Sequence, residues 1–110
     1  MAWGSKSVLK NTALTTTEAD ISEIFINRGA THMVIYIETA DIETGDFYLY
    51  DSSGQELTFE QVDTVAYDAA TSLTWRLDLR TTPLRDVCKI SGKVDSGTGT
   101  VSTLVVTYEK

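Results

Sequence analysis

The sequence has almost none of the residues that interrupt or cross-link a chain: one proline, Pro83, and one cysteine, Cys88, in 110 residues. A single cysteine excludes an intrachain disulfide. Its place in an apolar run suits a small buried hydrophobe rather than a reactive thiol. With His32 as the one histidine, zinc or iron would lack the several nitrogen or sulfur ligands it normally takes. No apolar run is long enough to cross a bilayer. The opening Met1-Ala2-Trp3-Gly4-Ser5-Lys6 lacks the basic start and apolar core of a secretory signal. The chain is therefore expected to be made and folded in a reducing cytoplasm, without a membrane partner.

Basic residues are missing from the middle of the chain. Between Arg28 and Arg76 there is no Lys or Arg, while Glu38, Asp41, Glu43, Asp46, Asp51, Glu56, Glu60, Asp63 and Asp68 all fall there. The formal net charge is −7. A general nucleic-acid binder needs clustered cations to displace counterions from phosphate, so that role is excluded. The acidic stretch reads as a solvated face that aids solubility, or as a surface meeting a basic partner or a cation.

What is abundant favours extended structure. Seventeen Thr and nine Ser accompany many Val, Ile and Tyr, side chains that suit a pleated surface. The clearest strand is Leu73 to Arg80, where Leu73, Trp75, Leu77 and Leu79 alternate with Thr74, Arg76, Asp78 and Arg80. Pro83 closes that run. Ile21 to Ile26 ends at Asn27-Arg28-Gly29, a turn signal, and Met33 to Glu38 is apolar on both faces, as a central strand is. Phe47 to Tyr50 leads into Asp51-Ser52-Ser53-Gly54, with a short return strand expected through Leu57 and Phe59. Glu60 to Ser72 shows no clean period and reads as a loop. Val87 to Val94 and Val101 to Tyr108 flank a turn at Asp95 to Gly99, and Ser7 to Leu14 forms a further edge strand. About eight short strands at regular spacing predict an all-β domain, an antiparallel β-sandwich or jelly roll. Residues 1–12 are its N-terminal arm or edge strand and residues 13–110 its body.

No catalytic set emerges. His32 sits at a strand start without a nucleophile motif, and Cys88 has no activating context. Neither phosphate-binding glycine motif is present, so the reading is a non-enzyme without a cofactor. Asp41, Glu43 and Asp46 around Gly45 are the weak candidates for a cation, short of the further acids a twelve-residue calcium loop supplies. Three aromatics are candidates for partner binding. Tyr48 and Tyr50 point outward if Phe47 and Leu49 face the core, and Trp3 lies in a polar N-terminus where an aromatic is costly to leave in water.

The run Ser72-Leu73-Thr74-Trp75-Arg76-Leu77-Asp78-Leu79, the Gly97-Thr98-Gly99-Thr100-Val101 hairpin and the polar opening Met1 to Lys6 together resemble the small auxiliary proteins of tailed-bacteriophage virions. The likeness is greatest to head decoration, or cement, proteins and related β-sandwich modules. The resemblance implies a virion structural protein that stabilises the particle by binding between capsid or tail subunits. It also implies a homotrimer, docked through an arm at residues 1–12. The alternative is a carbohydrate-binding β-sandwich with Tyr48 and Tyr50 as a stacking platform.

Overall fold

The strands His32–Ala40 and Thr44–Ser52 bury alternate residues, and that period of two builds two stacked layers. The computed structural model describes residues 3–26, 29–40, 44–53, 58–68 and 72–109, Trp3 by its backbone alone. Among these described residues ten strands occur: β1 (Trp3–Ser7), β2 (Ala13–Leu14), β3 (Ala19–Asp20), β4 (Phe25–Ile26), β5 (His32–Ala40), β6 (Thr44–Ser52), β7 (Glu60–Asp68), β8 (Ser72–Asp78), β9 (Val87–Val94) and β10 (Gly99–Glu109). Among the described residues no helix forms.

One sheet runs β1-β10-β5-β8 with β2 also on β10; the other runs β3-β9-β6-β7 with β4 also on β9. All pairings are antiparallel. The pairing is nested along the sequence: β6 with β7, β5 with β8, β3 and β4 with β9, β1 and β2 with β10. A long antiparallel ribbon folded over into two layers has this order, so the protein is an antiparallel β-sandwich.

The core lies between the layers. Met33, Ile35 and Ile37 of β5 and Leu104 and Val106 of β10 face Phe47 and Leu49 of β6 and Ile90 of β9, all essentially inaccessible to solvent. Burying each such side chain contributes about 1.5–3 kcal/mol. Gly92 permits the closest approach. A Cβ there would sit 2.8 Å from Cδ1 of Phe47 and 3.2 Å from Cδ2 of Leu14. The Phe47 ring in turn meets Tyr67 edge-on, centroids 6.0 Å apart.

The structure corrects three readings. Glu60 to Asp68 is not a loop but the nine-residue edge strand β7. A bulge between Leu49 and Tyr50 shifts the register of this pair, so its apolar residues Val62 and Val65 fall three apart and hide the period. For the same reason the return strand of the β6 hairpin begins at Glu60; Phe59 lies outside any strand and Leu57 falls outside the described residues. The Ser7–Leu14 segment is also divided. Only β1 and β2 pair with β10, and between them Val8 to Asn11 crosses toward the other layer, with Leu9 bridging Ser22.

Candidate interaction surfaces

The two lateral sides of the sandwich are closed differently. On the β7/β8 side, polar links bind the layers: Trp75 Nε1 donates to Asp63 Oδ2 at 2.9 Å, and the Thr39 hydroxyl donates to that of Tyr67. On the β1/β4 side, backbone bonds close only the upper part. Glu23 N donates to Val8 O at 2.8 Å and Lys10 N to Ile21 O at 2.9 Å. Below them no backbone bond joins the layers among the described residues. Gly4, Ser5, Lys6 and Tyr108 of one layer face Ile24, Phe25 and Ile26 of the other across a groove of about 320 Å³. Phe25 turns inward and is 2% exposed, but Ile24 and Ile26 are 50% and 52% exposed. They are the exposed large hydrophobic residues among the described ones. Ile24, Phe25 and Ile26 are three consecutive apolar residues, so the sequence puts apolar side chains on both faces of this short segment and gives no reason to leave one face uncovered.

The outer face of β6 carries the tyrosines that alternation predicts. Phe47 and Leu49 are buried, and Tyr48 and Tyr50 are half-buried on the opposite side. Tyr50 is engaged within the chain. Its hydroxyl donates to Glu18 Oε2, which also accepts from Ser91 Oγ at 2.7 Å. Burial, and then the neighbouring Glu18 carboxylate, raise the Tyr50 phenol above its usual range. Lys89 Nζ lies 5.4 Å from the Tyr50 centroid and 4.7 Å from that of Phe59, and 3.3 Å from Asp20 Oδ2. Tyr48 instead stands between Thr64 of β7 and Ser91 of β9 in register. The Trp3 side chain, Asp41 and Glu43 fall outside the described residues; Asp46 stands on β6 opposite Lys93 and Ala66.

Two charged clusters were invisible in the sequence because their members lie far apart along it. At one end of the β10-β5-β8 face, His32 Nε2 is 3.9 Å from Asp78 Oδ1 and its Nδ1 is 3.8 Å from Glu109 Oε1. Arg80 forks onto Asp78 at 3.0 and 3.1 Å and reaches His32 Nε2 at 3.3 Å. Hydrogen bonds from the Arg80 side chain hold the Asp78 carboxyl down to about 2. Elsewhere Asp51, 3% exposed on the inner side of β6, accepts from Arg85 N at 2.9 Å, Nε at 3.1 Å and Nη2 at 2.9 Å. The acidic stretch is therefore not one solvated face: Asp51 is buried and paired, and Asp63 serves Trp75. Beside Asp51, burial of the Cys88 thiol pushes it up to about 12.

No protein-family profile and no curated protein sequence matches the chain. Solved structures do. A subunit of Bacillus endospore appendages, described as a novel family of disulfide-linked pili, superposes with a TM-score of 0.55 at 12% identity, covering 97% of this chain and 88% of that one. The SPBc2 prophage-derived protein YomS gives 0.49 at 16% identity over 96% of this chain and 93% of its own. PirA gives 0.49 at 10% identity over 98% and 93%. At such identities the likeness to the appendage subunit is one of fold: an all-β sandwich that accounts for nearly the whole of both chains.

Proposed function

We propose that this chain is a structural subunit that assembles with other protein subunits, in a virion or a surface appendage. The observation that carries the reading is the open β1/β4 seam, where Ile24 and Ile26 stay half-exposed beside an uncovered edge strand. Exposed apolar residues gathered at one groove mark a protein contact more often than chance. The fold likeness to an appendage subunit supports the reading at the level of architecture. The disulfide linkage named for that family has no counterpart offered by Cys88, which is fully buried. Decoration of a capsid by a homotrimer docked through residues 1–12 is the narrower form of the reading and rests on the sequence resemblance. Catalysis forms no part of it.

The test is sedimentation velocity on the full chain and on an Ile24→Glu/Ile26→Glu variant. Both substitutions lie at half-exposed positions, so the fold tolerates them. The reading expects wild type to sediment as an oligomer and the variant as a single chain with unchanged thermal stability. A wild type that sediments as one chain at every concentration, indistinguishable from the variant, would count against it.

A further inference from the structure

Among the described residues β1 pairs on one side only, with β10, and its other edge specifies what occupies the seam. On β10, Glu109 O accepts from Thr31 N at 2.8 Å on the β5 side, while Leu104 O accepts from Val8 N at 3.0 Å on the β1 side. Backbone groups alternate sides along a strand, so Leu104, Val106 and Tyr108 bond toward β1. Their partners in register are Val8, Lys6 and Gly4. The intervening residues, Trp3, Ser5 and Ser7, therefore turn their N–H and C=O groups outward. The Ser5 and Thr107 hydroxyls, 3.0 Å apart, fit that phase, because side chains approach most closely at non-hydrogen-bonded pairs.

We infer that two copies of this chain pair through β1, antiparallel, about a two-fold axis at Ser5. This rests on the assembly reading above and names the partner at the same seam. In that register Ser5 meets Ser5, and Trp3 meets Ser7 of the second copy, so outward donors and acceptors face one another along the whole strand. Lys6 meets Gly4 of the second copy rather than Lys6, which removes the like-charge opposition that disfavours a self-pairing strand. An axis perpendicular to the sheet keeps both outer layers on the same side. The two grooves then adjoin, and Ile24 and Ile26 of each copy lie beneath the junction. Charge selects this edge over the opposite one: β7 carries Glu60, Asp63 and Asp68 and repels its own copy, whereas β1 carries Lys6 alone. The pairing is isologous and closes at two chains, in place of the trimer that the resemblance implies.

Ser5→Pro tests it. The substitution removes the central outward donor and leaves the β1–β10 ladder intact, since Ser5 N does not bond to β10. Light scattering on the full chain should give twice the 12.1 kDa mass for wild type and one chain for Ser5→Pro, with the circular dichroism of both the same. Independently, Gly4→Cys/Lys6→Cys should form interchain disulfides under mild oxidant. A Cβ at Gly4 meets nothing within 4 Å, and opposed residues of such a pair lie within disulfide reach. A wild-type mass of one or three chains overturns the inference, as does a Ser5→Pro chain that stays paired. If Ile24→Glu/Ile26→Glu dissociates an oligomer that Ser5→Pro does not, and no disulfide forms, strand pairing fails while the assembly reading stands. If wild type stays a single chain throughout, both fail.

Discussion

Individual side chains here answer to their neighbours more than to their type. Cys88 falls in a strand and reads as a buried hydrophobe from sequence, and burial holds its thiol at about 12. At pH 8 the thiolate fraction is then about one in ten thousand. An aromatic disulfide reagent should modify no thiol in the folded chain and one after denaturation. A fast native reaction would show the site to be open. Asp78 shows the opposite sign. Its folded pKa of about 2 lies below the ordinary aspartate value of 3.8. The Arg80 link is therefore present above the usual carboxylate range and is lost only as pH falls toward 2. Carboxyl chemical shifts should place the Asp78 midpoint near 2, and Arg80→Ala should move it up toward the ordinary value. Nothing in the local sequence shows that His32 and Glu109 join this pair, because β5, β8 and β10 bring the residues together from three separate stretches.

Elements were legible where alternation is uninterrupted and lost where a bulge or an edge intervenes. β8 and β9 follow the expected runs closely, since each has an apolar row committed to the core. β7 did not, because its register shift at Leu49 and Tyr50 breaks the period and its edge position leaves most of its residues in water. The role of Gly92 was also hidden: a glycine within a strand indicates a close approach, but not of what. Phe47 and Leu14 fill that space, so Gly92→Ala should lower stability by about 1–3 kcal/mol, read from denaturant midpoints at constant m-value. β1 is the least legible element. Gly4, Ser5, Lys6 and Ser7 carry no apolar row at all, and the strand exists because β10 offers it a ladder.

At the scale of the whole molecule, composition predicts a two-layer β domain correctly but not the asymmetry of its sides. The acidic residues of the β7 side partly serve internal bonds, as Asp63 does with Trp75. The β1/β4 side is left with a groove, two half-exposed isoleucines and an edge that no described strand pairs. The tyrosines that sequence reading favoured for partner contact are unequal: Tyr50 is bonded to Glu18 and faces Lys89, and Tyr48 stands between small hydroxylated neighbours. Exposure depends on how the sheet edges meet, so Ile24 and Ile26 stay half-exposed at the seam.

Amide hydrogen exchange of the full chain, followed as its concentration is raised, tests the role of the seam most directly. The account predicts that peptides spanning residues 3–7 and 24–26 slow with concentration while those spanning 60–68 on the β7 edge do not change. Exchange that is independent of concentration at the seam, or protection that grows on β7 instead, would contradict it.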